Sequence, residues 1–194
     1  PPSTLIRPMS KKLKNTKIEI GAQNCHEQIS YGPFTGSINS TMLKSVGARY
    51  VIIGHSENRQ SGESDKLINI KIKNAIKCGL KVIFCIGETL KEKRKKITKK
   101  VLDKQIKLGL KGIKNKNNIL IAYEPVWSIG TGLIPKSNEL IDTISFIKKK
   151  IRNFYVLYGG SVNPRNMDEL NSINNIDGFL IGGASQNPKK FIDI

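Results

Sequence analysis

The chain has 194 residues, 38% of them hydrophobic, with 33 Lys and Arg against 15 Asp and Glu for a formal net charge of +18. That length can bury a real core, and the lack of any apolar run of about 18 residues argues against a helical membrane span. The opening PPSTLIRPMSKKLK lacks the charged-then-apolar layout of a secretory leader. Cys25, Cys78 and Cys85 show no metal-ligand spacing, which predicts buried free thiols in a reducing cytoplasm, with no metal bound.

In chain order, strand-length apolar runs alternate with stretches of helical periodicity. The predicted strands are IEIGAQN (18–24), YVIIGH (50–55), KVIFCIGE (81–88), LIAYEP (120–125), YVLYGGS (155–161) and GFLIGGAS (178–185). Between the second and third, Ser64 is expected to cap a helix whose apolar face is Leu67, Ile68, Ile72, Ala75 and Ile76, and Gly79 to stop it. Ser137 is expected to cap a later helix with Ile141, Ile144, Ile147 and Ile151 on one side. Asn163-Pro164 and Asn187-Pro188 both read as a cap followed by a first-turn proline. The lysine-rich KLKNTK, KEKRKKITKK and IKKKIR place apolar residues at helical spacing and carry no interleaved aromatics. They are therefore read as solvated helix faces that attract small anions, in preference to a nucleic-acid surface. Neither a nucleic acid nor a membrane is expected as a partner.

Strand, helix, strand, helix without a linker predicts α/β architecture with a parallel sheet, in one domain over 1–194. Each strand starts apolar and ends polar or glycine-rich: Gln23-Asn24, His55-Ser56-Glu57, Gly87-Glu88, Glu124, Gly159-Gly160-Ser161, Gly182-Gly183. The helix-to-strand turns carry nothing comparable. Decoration at one end of every strand favours a (β/α) barrel over a doubly wound sheet, which uses one crevice.

Two residues at that edge could move protons. His55 alone would read as a hydrogen-bonded core histidine, but its position at a strand end makes it a candidate acid or base. Glu124 could be a neutralised structural carboxylate, yet an apolar strand that desolvates it suits a general base. The loop VWSIGTG behind it could close and expel water. The glycine pairs after the last two strands could simply permit turns, or supply backbone amides to one phosphate dianion. A carboxylate base, an imidazole, a phosphate cradle and a lid suit proton transfer beside the carbonyl of a small phosphorylated sugar.

The motifs GAQN (21–24), FTG (34–36), YVIIGHSE (50–57), CIGET (85–89), AYEPVWSIGTG (122–132), YGGSVN (158–163) and DGFLIGGAS (177–185) occur in order over essentially the whole chain. This series resembles the triosephosphate isomerases, a family that is itself a standard example of pKa tuning by a glutamate base and a neutral histidine. The resemblance implies a TIM barrel, isomerisation of a triose phosphate in glycolysis and gluconeogenesis, and no cofactor. By motif it makes Glu124 the base, His55 the electrophile and Glu57 a second active-site carboxylate. It assigns the substrate phosphate to Gly130, Ser161, Gly182 and Gly183, and lid closure to Tyr158. It also implies a homodimer in which the loop Gln28 to Gly36 enters a partner subunit. About six of the eight barrel units are expected in these residues. The family's first two strands, with their Asn-x-Lys motif, and the end of its last helix fall outside them. In place of common basic residues the chain has Asn58 after HSE and Leu133 in the lid. A phosphate-binding relative with impaired or absent turnover is the alternative reading.

Overall fold

The computed structural model describes residues 1–114 and 116–194. Its elements run α1 (Ser3–Lys12), β1 (Gly21–Ala22), α2 (Ser40–Ser45), β2 (Tyr50–Ile53), α3 (Ser56–Gln60), α4 (Asp65–Lys77), β3 (Lys81–Ile86), α5 (Leu90–Arg94), α6 (Thr98–Gly109) and β4 (Ile119–Tyr123). A short 3-10 turn (Val126–Ser128) leads to α7 (Ser137–Lys150), β5 (Val156–Tyr158), α8 (Met167–Asn171) and β6 (Gly178–Phe179). A second 3-10 turn (Gly183–Gln186) and α9 (Pro188–Ile192) complete the described chain. The strands follow chain order, β1 to β6, in one sheet. Six strands alternating with helices form an incomplete (β/α) barrel, the expected fold class. Every predicted strand is present but shorter: the polar or glycine-rich residues at each C-terminal end lie outside the ladder, and so do Ile18 to Ile20 before β1 and Leu180-Ile181 after β6.

Two compact units divide the chain. The first comprises Pro1–Phe84 and Lys107–Ile119. In it β1 and β2 pair in parallel, Gly21 opposite Tyr50, and β2 pairs with β3 from Tyr50 opposite Lys81 to Ile53 opposite Phe84. Its core holds Ile6, Leu43, Val51, Ile53, Ile68, Ile72, Leu80 and Phe84. Ser64 caps α4 as expected, its oxygen accepting the Leu67 amide at 3.2 Å. Gly79 (φ +75°) ends the helix, with the Leu80 amide on Ala75 O and the Gly79 amide on Ile76 O. This is the Schellman closure, in which the left-handed residue is almost always glycine.

The second unit comprises Cys85–Ile106 and Leu120–Ile194. Here β4 pairs in parallel with β5, Ile121 opposite Val156, and β5 with β6, Leu157 opposite Gly178. Ile121, Ala122, Leu140, Ile144, Ile147, Val156 and Leu170 fill its core.

Three sequence expectations in this unit are corrected. Lys136 occupies the N-cap position of α7 and no side chain caps it. Ser137 lies inside the helix, where its hydroxyl donates to Glu169 at 2.8 Å. Ile141 is exposed, and Leu140, Thr143, Ile144 and Ile147 form the buried stripe. Consecutive helical residues lie about 100° apart, which turns position 141 out of that stripe. Asn163-Pro164 starts no helix: Asn163 Oδ1 accepts the Arg165 amide at 2.9 Å in a local turn that competes with capping, and α8 begins at Met167. Asn187-Pro188 does open α9, with Asn187 Oδ1 on the Lys190 amide. Lys99, Lys100 and Lys149 are exposed on α6 and α7, in keeping with solvated helix faces, whereas Lys95, Lys96 and Arg152 are exposed in turns and KLKNTK leaves α1 after Lys12.

Candidate active site

In the first unit β2 delivers His55 to the N-cap of α3. His55 Nδ1 accepts the Glu57 amide at 3.3 Å. A ring nitrogen that accepts carries no hydrogen, so the ring proton sits on Nε2 and points a donor away from the helix. Glu57 Oε2 lies 3.7 Å from Nδ1, and the Glu57 side chain is 83% exposed. Arg59 buttresses this corner: its Nε donates to Gly54 O and its Nη1 to Asp65, both at 2.7 Å.

A buried polar cluster stands at the end of β1. Lys71 Nζ pairs closely with Glu63 Oε1, which also accepts from Asn24 Nδ2 at 2.9 Å. Burial pushes the adjoining Cys25 thiol up to about 12, with Lys71 pulling the other way, so Cys25 stays protonated. The three cysteines are free thiols. The loop from Gln28 to Gly36 is tethered at its base, where Thr41 Oγ1 donates to Ile29 O at 2.8 Å and Asn39 Nδ2 to Ser30 O at 3.3 Å. Beyond those tethers Tyr31 is 74% exposed.

The second unit holds Glu124, the first residue past β4 and 2% exposed. Its amide donates to Ile86 O at 2.8 Å, and the next ladder bond runs from the Gly159 amide to Tyr123 O at 2.8 Å. Two glycines make room for it. A Cβ on Gly87 would lie 1.7 Å from the Glu124 carbonyl oxygen, and one on Gly159 would lie 2.9 Å from Glu124 Cγ. The Gly87 peptide is held in turn by the buried Gln105 side chain, which accepts from its amide at 2.9 Å and donates to its carbonyl at 3.0 Å.

Glu88 anchors the start of the loop that follows Glu124. Buried at the end of β3, it accepts from Trp127 Nε1 at 2.9 Å and from the Tyr123 hydroxyl at 3.1 Å. Lys93 Nζ stands 3.8 Å over the Trp127 ring and bonds Glu139 at 2.9 Å. Burial raises the Glu88 carboxyl above its ordinary 4.5, opposed by Trp127, a backbone amide, Tyr123 and Lys93. A folded-state pKa above the unfolded one means that the folded chain binds this proton more tightly. The contribution of Glu88 is then most favourable below 4.5 and declines as pH rises through the raised value. Glu88→Gln should therefore gain in urea midpoint relative to wild type as pH climbs from 4.5 to 8. A midpoint difference that does not change with pH would contradict this.

The glycine-rich loop Val126 to Leu133, the expected lid, turns on Gly130 (φ +70°) and Gly132 (φ +78°), where left-handed backbone favours glycine. Gly130 is exposed and open space surrounds it. Ser128 is fully buried, 3.2 Å from the Tyr158 hydroxyl and 3.2 Å from the Ser161 amide. Burial pushes Tyr158 up to about 12, so it remains a donor at neutral pH. Gly182 and Gly183 are exposed at the entry to the second 3-10 turn, where Gly182 O accepts from the Ser185 amide at 2.9 Å and its hydroxyl at 2.7 Å. The first amides of such a turn have no partner within it. Among the described residues no group of three or more His, Cys, Asp or Glu could hold a metal ion, and no helix is long and apolar enough to cross a membrane.

The triosephosphate isomerase family model matches residues 1–194. The chain belongs to the triosephosphate isomerase family. It is 44% identical to triosephosphate isomerase of Dictyoglomus thermophilum, with 100% of this chain and 82% of the relative covered. Against the enzyme of Thermodesulfovibrio yellowstonii it is 43% identical, covering 97% and 80%. A crystal structure of triosephosphate isomerase from Bartonella henselae superposes with a TM-score of 0.91 at 38% identity, covering 100% of this chain and 82% of that one.

Of the residues expected at the site, the first unit joins His55 with Glu57. The second joins Glu124 with Gly159, and Tyr158 with Ser161 through Ser128. Sequence reasoning gave no role to Gln105 or Ser128 and took Glu88 only as a strand end. The single available signal was the polar residue directly following the apolar strand KVIFCIG.

Proposed function

We propose that this protein is a triosephosphate isomerase, interconverting dihydroxyacetone phosphate and D-glyceraldehyde 3-phosphate through an enediol. The observation that carries the reading is Glu124: a carboxylate 2% exposed at a strand end, seated between two glycines and followed by a lid that turns on two more. In the proposed reaction Glu124 takes the carbon proton and returns it to the neighbouring carbon. The Nε2 hydrogen of His55 polarises the carbonyl and follows the charge between adjacent oxygens, while Glu57 is a second carboxylate of the site. Amides at Gly130, Ser161, Gly182 and Gly183 bind the phosphate, and the closed lid keeps the enediol from expelling it. Each step moves only protons, so the proposal needs no metal or organic cofactor.

The test is turnover of glyceraldehyde 3-phosphate by the full-length protein in deuterated water, with Glu124→Gln as the decisive variant. Carbon-bound deuterium in the product is expected, and absence of turnover above the uncatalysed rate would overturn the reading. The unbroken alternation of strand and helix, with one family model across it, supports a single barrel domain over 1–194. The free, largely buried thiols support a cytoplasmic setting, which cell fractionation would check.

We further place a homodimer contact at the loop Gln28–Gly36, supported by its tethered base and exposed Tyr31 tip. Tyr31→Asp is expected to shift sedimentation towards the monomer. An unchanged dimer, or a wild-type monomer, would remove that loop from the interface.

A further inference from the structure

Ser128 has every hydrogen-bonding position filled. Its single hydroxyl hydrogen goes to Leu133 O, at the far end of the lid. With that hydrogen committed, the contact to Tyr158 Oη at 3.2 Å must be a bond donated by the tyrosine. The second lone pair takes the Ser161 amide at 3.2 Å. One buried oxygen thus ties both ends of the lid to the loop that follows β5. Gly160 makes the approach possible, since a Cβ there would lie 2.2 Å from Tyr158 Oη and 2.7 Å from Ser128 Oγ.

The Ser161 amide is also one of the donors assigned above to the substrate phosphate. An amide hydrogen bonded to Ser128 cannot be given in full to an anion at the same time. We infer that Ser128 is a positioning residue that reserves the Ser161 amide while the lid is in this conformation, so that a phosphate dianion gains that amide only by displacing the serine hydroxyl. Displacement frees the hydroxyl from one of the bonds that pins the lid, and anion arrival is thereby coupled to lid movement. The inference rests on the phosphate reading of Ser161 and adds the residue that competes for it.

The experiment follows backbone amide resonances of the full-length protein during titration with inorganic phosphate, for wild type and Ser128→Ala. The substitution removes one oxygen and adds no bulk. Phosphate should shift the Ser161 amide in both proteins, with affinity raised about five-fold in the variant, the equivalent of one ordinary hydrogen bond. Without phosphate, the Ser161 amide of the variant should exchange its hydrogen faster than that of wild type. A Ser161 shift with equal affinity in the two proteins would overturn the role of Ser128 and leave the phosphate reading standing. A Ser161 amide unmoved by phosphate in either protein would overturn both.

Discussion

Glu124→Gln should lower kcat by about 10³, near the middle of the range for loss of a general base, with KM for the triose phosphate little changed. The amide keeps the shape of the carboxylate and has no basicity at neutral pH. The loss should therefore fall on carbon proton transfer, and deuterium uptake from solvent should fall in proportion. Circular dichroism and urea midpoint should stay close to wild type, because the backbone bond from residue 124 to Ile86 O does not involve the side chain. A variant that keeps most of its turnover would dismiss Glu124 as the base.

Gly87→Ala should cost about 3 kcal/mol of stability, at the upper end of ordinary overpacking. The added methyl would lie 1.7 Å from the Glu124 carbonyl oxygen and 2.6 Å from its carbonyl carbon. Those are backbone atoms, so no side-chain rotation relieves the contact. Either the end of β3 or the start of the segment after β4 must move, and Glu124 moves with it. The folded fraction of the variant should therefore also lose turnover. A urea midpoint within experimental error of wild type would show that this approach is not as close as described. The case differs from Gly130, where nothing crowds the position and only the left-handed backbone speaks for glycine.

The strands were legible because a parallel sheet covered by helices needs nearly continuous apolar runs, as in YVII, KVIFCI and ILIAY. Glu124 was legible because a carboxylate ending such a run conflicts with burial unless it has a use. Ser64 and Gly79 were legible because capping is local chemistry. Gln105 was not: it contacts Gly87 across 18 positions of sequence, and a polar side chain on a lysine-rich helix reads as surface. Ser128 was hidden for a related reason, since a serine in a glycine-rich loop passes for turn chemistry until Tyr158 and Ser161 are brought to it. The errors at Ser137, Ile141 and Asn163 share one origin. Each depended on where a helix begins or how far it has rotated, and one residue of offset changes which side chain caps or faces inward.

Trp127 is the one tryptophan among the 194 residues. Its indole hydrogen is bonded to the Glu88 carboxylate and its ring lies under the Lys93 ammonium. The red-edge emission of the protein therefore originates at one spot, the start of the Val126–Leu133 loop, with a cation above the chromophore and a carboxyl group at its edge. Any rearrangement there alters the polar surroundings of the excited state, so the molecule carries its own optical probe of that loop and needs no attached dye.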